Sequence, residues 1–179
     1  MAKRLVAGVM VLMAVSVVRA DVDSGPAAGA KTPGLTVFAT TGASAGKAIV
    51  VETERKGQKT IYVFVRGDQW GRPMARFLKT LDGSVKKHDE KAAVIATWLT
   101  EDVEGMKTHL PRVQESLKFE ATTLAVYEKD KNGPEPWALN GDAHLTAVVV
   151  NGEKVVKSFG FVSVNDTLVP DVEKALKGE

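Results

Sequence analysis

Residues 61–65 are Ile-Tyr-Val-Phe-Val, five consecutive β-forming residues that follow a turn-rich stretch at residues 56–58. An uninterrupted run of this kind is typical of a strand that is covered on both faces, whereas a strand with one face in water alternates apolar and polar residues. We therefore expect residues 61–65 to form a central strand, and the segments around them to provide the cover.

A helix is predicted directly after this strand. Asp68 is a residue type that caps helix N-termini well, and Asp82-Gly83 is a typical stop. Between them, apolar side chains recur at intervals of three and four residues, as on one face of an amphipathic helix. They are Trp70, Met74, Phe77, Leu78 and Leu81.

Two further strands and a second helix are predicted in the middle of the chain. Residues 92–99 are a second buried strand, and Asp102 is placed to cap a helix with apolar positions every three or four residues. Pro111 lies inside that helix and has no N–H to donate, so the helix should be kinked or split there. Residues 122–127 are a candidate third strand.

The C-terminal part of the chain predicts a hairpin and a helix. Residues 145–150 and 153–161 are two β-rich runs separated by an Asn-Gly pair at residues 151–152. Such a pair favours a type I′ turn. A last helix is predicted to begin between Asp166 and Pro170, because proline is tolerated only in the first turn.

The order of these elements indicates an α/β domain with a mixed sheet between helical layers, and right-handed crossovers would make the first two buried strands parallel. This order resembles the thioredoxin-like fold in its redoxin branch. The similarity is strongest at residues 144–156, which resemble the family's proline-led strand, Asn/Gly turn and return strand. The resemblance implies a three-layer α/β/α sandwich over residues 35–179, with a mixed central sheet and a C-terminal β-hairpin plus helix. Gly46-Lys47 followed by Gly57 is also similar to a group of exported redoxin-like proteins from planctomycete bacteria.

The chain departs from this family in the residues that carry its chemistry. It contains no cysteine, and both thiol–disulfide exchange and thiol peroxidase chemistry need a thiolate. The family's Cys-x-x-Cys lies where this chain has residues 66–73, Arg-Gly-Asp-Gln-Trp-Gly-Arg-Pro. The family's cis-proline falls on His144. We expect a trans bond there, because a cis bond before a non-proline residue costs about 2.5–4 kcal/mol.

A thioredoxin-like domain without thiols implies a redox-inactive module that binds or scaffolds a protein or peptide partner. The surface that contacts substrate in the family gives the candidate binding residues Asp68, Gln69, Trp70, Arg72 and His144. No catalytic residue of the family has a counterpart in this chain, so the sequence argues against an enzyme. One alternative is a redox partner domain that relies on the thiol of another protein.

A second alternative is a small serine hydrolase. Residues 42–46, Gly-Ala-Ser-Ala-Gly, match the G-x-S-x-G pattern of a nucleophile elbow with Ser44 as the nucleophile. The elbow must lead from a strand into a helix, and the residues that follow, 48–51, are β-branched and poor for a helix. His88, His109 and His144 lie on separate predicted elements without the spacing of metal ligands. We therefore expect no metal or other cofactor.

The first 20 residues have the layout of a secretory signal peptide. Lys3 and Arg4 precede an apolar run over residues 5–18, and Val-Arg-Ala at residues 18–20 fits a cleavage site. The run is shorter than the roughly 20 residues of a membrane span, so no stable anchor is expected after cleavage. The protein is predicted to be exported, and to be periplasmic or secreted.

The remaining segments before the central strand carry weaker signals. Residues 21–34 are rich in Gly, Ala and Pro and are predicted to be a flexible leader. Residues 35–40 are a candidate edge strand, and residues 48–54 a further strand.

Charge excludes one class of partner. The first 20 residues hold three of the 24 basic side chains and none of the 22 acidic ones, so the rest of the chain carries a formal net charge of −1. Nucleic-acid binding depends on a concentrated basic surface, which this balance does not provide.

Overall fold

The structure is a computed structural model that describes residues 22–179, so the predicted signal peptide, residues 1–20, lies outside the described residues. The strands are β1 (Thr36–Ala39), β2 (Lys47–Val50), β3 (Thr60–Arg66), β4 (Ala93–Leu99), β5 (Thr122–Val126), β6 (Leu145–Asn151) and β7 (Lys154–Phe161). The helices are α1 (Val51–Arg55), α2 (Arg72–His88), α3 (Val103–Leu117) and α4 (Val169–Lys177). Within residues 22–179 the strands form one sheet in the order β2-β1-β5-β4-β3-β6-β7, and no helix is long and apolar enough to cross a bilayer.

Strand β3 lies inside the sheet, as residues 61–65 predict. It pairs in parallel with β4 and antiparallel with β6. Every residue from Thr60 to Val65 is buried. The backbone N–H and C=O groups of this strand therefore find partners on both sides without water. The predicted parallel arrangement of the first two buried strands is confirmed.

The two faces of β3 belong to two separate clusters of the core. Its odd-numbered residues pack with apolar side chains of α2, α3 and α4. Tyr62 and Phe64 belong to the other cluster, with α1 and the segment between β5 and β6. The Trp137 ring of that segment lies 4.7 Å from the Tyr62 ring and 4.9 Å from the Phe64 ring, centroid to centroid. A mixed sheet with helices on both faces confirms the predicted thioredoxin-like α/β/α architecture, although a short helix and irregular segments cover the second face.

Helix α2 begins later than the sequence predicts. Asp68 lies in a 3₁₀ turn over Gly67–Gln69 and does not cap the helix, whose N-cap is Gly71. Pro73 explains the difference. Proline lacks the N–H that a helix interior needs, so it fits only in the first turn and fixes the start of the helix next to itself.

The predicted helix stop at residues 82–83 is also wrong, because Asp82 has a structural role inside α2. Its side chain is buried, with 2% of the residue exposed. The carboxylate accepts hydrogen bonds of 2.7–3.2 Å from the backbone N–H groups of Glu120 and Ala121 and from the Thr122 hydroxyl. A buried carboxylate is tolerated when its oxygens are satisfied in this way. Asp82 therefore joins α2 to the start of β5.

Helix α3 passes through Pro111 without a break, so the predicted split does not occur. Asp102 caps the helix as predicted, with its Oδ1 accepting a hydrogen bond of 2.9 Å from the N–H of Gly105. Leu110 and Val113, on either side of the proline, are buried. Their packing offsets the one hydrogen bond that the proline removes.

The predicted hairpin is confirmed, but its turn lies one residue further on. Asn151 pairs with Lys154, so the two-residue loop is Gly152-Glu153. Gly152 has a φ of +66°, whereas neither Asn151 nor Glu153 has a positive φ. A positive φ at the first loop position alone is the pattern of a type II′ turn, which glycine permits, and not of the predicted type I′ turn.

The segment before β3 differs from its prediction in two places. Strand β1, expected at the edge, lies between β2 and β5. The strand expected over residues 48–54 ends at Val50, and α1 follows it. Glu52 and Glu54 lie in the first turn of that helix, where negative charge is favoured by the helix dipole.

The N-terminal segment, expected to be a flexible leader over residues 21–34, is hydrogen-bonded to the rest of the domain at several residues between Val22 and Thr32. The N–H of Val22 donates to the carbonyl of Gly160 in β7 at 3.3 Å. The buried hydroxyls of Ser24 and Thr146 lie 2.6 Å apart. A Cβ on Gly160 would lie 2.4 Å from the Val22 carbonyl oxygen, so small residues allow the segment to approach the sheet closely.

Val63→Asp should unfold the domain. Val63 is fully buried in β3, and an unpaired carboxylate there costs several kcal/mol, a large part of the roughly 5–15 kcal/mol that stabilises a domain. Val50→Asp is the matched control, because Val50 is 48% exposed and the same change there should leave stability almost unaltered. Urea unfolding followed by circular dichroism compares the two. A wild-type midpoint for Val63→Asp would show that β3 is not the core strand.

Candidate functional site

The candidate site lies where the chain leaves β3 and enters α2. Gly67 is the first residue of this loop, and its backbone lies close to the end of β4. A Cβ on Gly67 would lie 3.0 Å from the Thr100 Cβ and 3.2 Å from the Leu99 carbonyl oxygen. The close approach depends on the absence of a side chain at this residue.

Arg66 connects this loop to the segment between β5 and β6. Its guanidinium donates from Nη1 to the carbonyl of Lys131 and from Nη2 to the carbonyl of Gly141, each at 3.3 Å. Its backbone N–H donates to the carbonyl of His144 at 3.0 Å. The planar guanidinium, with five donors, can hold several acceptors at once. Arg66 therefore fixes the segment between β5 and β6 against the end of β3.

Both backbone groups of His144 are used within the sheet. Its N–H donates to the carbonyl of Phe161 at 2.9 Å, and its own carbonyl accepts from Arg66. The described residues contain no cis peptide bond, so the predicted trans bond before His144 is confirmed. A bound peptide therefore has no free backbone edge to pair with at His144. The half-buried imidazole remains for contact.

A groove of 430 Å³ opens beside His144, and we call it the His144 groove. Arg66 at the end of β3 and Asp68 and Gln69 of the β3–α2 loop line it, together with Asp142 and His144 from the segment before β6 and Val162 directly after β7. Val162 is 36% exposed, which is high for a large apolar residue of this protein. The structure therefore brings three predicted binding residues, Asp68, Gln69 and His144, to one place.

The other two predicted residues lie elsewhere. The Trp70 ring packs against Trp98 of β4, with the centroids 5.0 Å apart, and joins the helix-covered cluster of the core. Arg72 lines a separate depression together with Arg76 and Asp166. Because α2 begins at Arg72, the four-residue spacing puts Arg72 and Arg76 on the same outer side of the helix.

Asp142 and Val162 belong to the His144 groove but were not among the predicted residues. No sequence signal marks Val162: the predicted turn at residues 151–152 would put residue 159 opposite His144, whereas the observed pairing of Leu145 with Phe161 puts Val162 there. Asp142 has no sequence signal either. Its place depends on the Arg66 hydrogen bond to Gly141, which joins residues 75 positions apart.

A second polar groove, of 510 Å³, lies on the other side of Asp68, between the loop and the start of α3. Lys131 forms an ion pair with Glu101 there, and this contact raises the pKa of Lys131 above its usual value. Within residues 22–179, no ion pair involves Asp68 or Asp142. Two carboxylates without an ion pair of their own therefore face the space around the His144 groove, which the Arg66 guanidinium also lines.

The groups at the His144 groove are suited to binding. Asp68 accepts a hydrogen bond of 3.3 Å from the Gln69 amide, and the site also presents the Asp142 carboxylate, the His144 imidazole, the Arg66 guanidinium and one apolar side chain. The sequence contains no cysteine, and in the part of the chain that the structure describes no three His, Asp or Glu side chains lie close enough to hold a metal ion. The site can recognise hydrogen-bond donors and positive charge.

Ser44 lacks the backbone setting and the contacts of a hydrolase nucleophile. Its loop joins the antiparallel strands β1 and β2, which is not the strand-to-helix turn of a nucleophile elbow. The Ser44 hydroxyl donates to the Glu54 carboxylate at 3.3 Å in an exposed position. No histidine contacts it among the hydrogen bonds of the described residues.

Comparison with solved structures identifies the fold as thioredoxin-like and of the redoxin type. The chain is similar to a DsbE-type thiol:disulfide interchange protein from Chlorobium tepidum, with 17% identity over 84% of this chain and 96% of that one and a TM-score of 0.60. It is similar to the peroxidoxin BcpB from Mycobacterium tuberculosis, with 11% identity over 84% and 96% and a TM-score of 0.62. It is also similar to the exposed lipoprotein thioredoxin Etrx1 from Streptococcus pneumoniae, with 14% identity over 79% and 98% and a TM-score of 0.56.

At these identities the similarity establishes the fold and nothing further. No protein-family model matches the chain, and no curated protein matches it. The finer resemblance to planctomycete proteins gains no support from these comparisons. The predicted redoxin-type architecture without active-site cysteines is confirmed.

Removing the Arg66 guanidinium should loosen the segment between β5 and β6. Arg66→Ala deletes the hydrogen bonds to Lys131 and Gly141, which at a partly exposed position contribute about 1 kcal/mol in total. Arg72→Ala is the matched control, because it removes the same group from the outer side of α2. Amide hydrogen exchange over residues 131–141 should become faster in Arg66→Ala alone. Unchanged exchange there would show that Arg66 does not hold this segment.

Proposed function

We propose that this protein is an exported, redox-inactive thioredoxin-like domain that binds a protein or peptide partner at the His144 groove. One observation carries the proposal. Asp68, Gln69 and His144 converge on a groove at the end of the sheet where the resemblance puts substrate contact, while the thiols are missing. A surface that keeps recognition groups and lacks the nucleophile supports binding without chemistry.

The chemistry of the groove indicates what the partner presents. Asp68 and Asp142 form no ion pair among the described residues, and their two negative charges exceed the one positive charge of Arg66, which also lines the groove. Val162 adds an exposed apolar contact. Recognition surfaces of this kind combine complementary charge with an apolar contact. The partner therefore offers a basic or N–H-donating side chain next to an apolar one.

The backbone geometry restricts how the partner binds. Since His144 uses both its N–H and its carbonyl within the sheet, recognition falls to side chains and not to strand addition at this residue. The second polar groove lies on the other side of Asp68. An extended partner can therefore pass over Asp68 from one groove into the other. Asp68 is then the central contact.

Export belongs to the same proposal. Residues 1–20 have a signal-peptide pattern, and the pneumococcal thioredoxin to which the chain is similar is an exposed lipoprotein. The chain has no cysteine that could carry a lipid of that kind. It would therefore be released into the periplasm or secreted after cleavage.

Photo-cross-linking tests the proposal directly. A benzoylphenylalanine residue replaces Gln69 in one strain of the native host and Lys87 in another, since both side chains are exposed and Lys87 lies at the far end of α2. We expect a discrete cross-linked product from position 69 in the exported fraction, and none from position 87. Adding Asp68→Asn with His144→Gln should abolish the product, because the two changes remove the carboxylate charge and the imidazole.

Two results would contradict the proposal. Equal products from both positions would mean that the groove has no special role, and an absent product from position 69 would mean that it binds no partner. Mass spectrometry of the product also identifies the partner. A cysteine of the partner at the cross-link would favour the alternative in which the domain works with another protein's thiol.

A further inference from the structure

A second site lies at the opposite end of β3, where no part of the proposed function is located. It is a groove of 420 Å³ between the N-terminal segment, the turn that follows α1 and the β6–β7 turn. We call it the Tyr62 groove. Thr32, Tyr62 and Lys56 contribute to it from three different segments. Its volume lies in the range of sites for small molecules.

Two hydroxyl groups at the Tyr62 groove have no hydrogen-bond partner within residues 22–179. Thr32 is 9% exposed, and its Oγ1 is buried without a partner. Tyr62 is 2% exposed, and its ring contacts Trp137 while its hydroxyl makes no hydrogen bond to the described residues. Buried polar groups are almost always paired in native proteins. Of the two hydroxyls, that of Thr32 is buried, whereas that of Tyr62 is open to the groove. An unpaired buried hydroxyl beside an open phenol, on separate segments of one groove, indicates a ligand that pairs with both.

The groove also carries positive charge that is not fully compensated. Lys31 and Glu153 form an ion pair at 3.9 Å, whereas Lys56 has no ion pair within the described residues. Burial lowers the pKa of Arg55 below its usual value. A buried or unpaired cation is stabilised by a nearby anion, so a negatively charged ligand would offset this charge.

Tyr62 and Glu52 determine which hydrogen bonds a ligand can form in the groove. Burial, and secondly the charge of Glu52, raise the pKa of Tyr62 well above its usual value, so the phenol keeps its proton and acts as a donor at neutral pH. Glu52 accepts a hydrogen bond of 2.9 Å from the N–H of Leu35 through Oε1, and its Oε2 accepts none from the described residues. A ligand therefore meets donors, a cation and the free oxygen of the Glu52 carboxylate, while the second carboxylate of the groove, Glu153, is paired with Lys31.

We propose that the Tyr62 groove binds a small organic carboxylate that also carries a hydroxyl or amino group. The hydroxyls of Thr32 and Tyr62 and the ammonium of Lys56 recognise the ligand's carboxylate. Glu52 accepts a hydrogen bond from its hydroxyl or amino group. Inorganic phosphate fits less well, because its second negative charge would be repelled by Glu52. This proposal is independent of partner binding at the His144 groove.

Amide NMR spectra of the purified protein test the ligand class. The probes are L-serine, glycolate and L-malate, with acetate and inorganic phosphate for comparison, each at up to about 10 mM so that a Kd near 1 mM is detected. At least one of the first three should shift the amide signals of residues 31–34 and 56–58 and leave those of residues 141–144 unchanged. Acetate and phosphate should shift them less.

Paired variants test the residues. Thr32→Val and Tyr62→Phe each remove one hydroxyl and should weaken binding about tenfold, the effect of one lost hydrogen bond to a charged group. Thr97→Val and Tyr127→Phe are the matched controls. Thr97 has an equally buried, unpaired hydroxyl, but neither residue belongs to the groove. Both controls should bind as the wild type does.

Three results would overturn this proposal. The first is that no probe with a hydroxyl or amino group shifts the groove signals, and the second is that phosphate binds more tightly than all of them. The third is that affinity is equal in Thr32→Val, Tyr62→Phe and their controls. Thermal melting of all four variants separates lost binding from lost folding. Failure of this site would leave cross-linking at position 69 unaffected.

Discussion

The burial of β3 between β4 and β6 is the constraint on which the rest of the structure depends. A central strand must pair its backbone groups on both sides, so its neighbours and their register are fixed along its length. The two ends of the strand are fixed with it. Arg66 at one end holds the segment that carries Asp142 and His144, and Tyr62 lies near the other. Both grooves are therefore set by one element.

The chain has no disulfide, so packing and long-range hydrogen bonds hold its layers together. Asp82 joins α2 to the start of β5 through four hydrogen bonds. Trp137 covers the face of the sheet that lacks long helices, and its Nε1 donates to the carbonyl of Gly34 at 3.2 Å. The second face thus depends on contacts between irregular segments. One of them, the N-terminal segment, also forms a wall of the Tyr62 groove, where the buried hydroxyl of Thr32 lies.

The sequence predicts the elements whose signals are local. The uninterrupted run in β3, the hairpin and the cap at Asp102 need only nearby residues, and all three are found in the structure. The sequence does not predict features that depend on distant partners. Asp82 resembles a helix stop because the groups that donate hydrogen bonds to its carboxylate lie 38–40 residues away in the sequence. Of the candidate site, Asp68, Gln69 and His144 follow from the resemblance and the hairpin, whereas Asp142 depends on a contact that no local pattern encodes.

The central claim is that this fold keeps the recognition end of a thioredoxin-like sheet and uses it through side chains alone. Hydrogen exchange of the protein, recorded with and without an extract of the host's exported proteins, tests this claim most directly. We expect slower exchange in residues 66–69 and 141–144, with the core of β3 unchanged because it is already protected. Protection confined to the exposed edge at β2, or absent throughout, would contradict it.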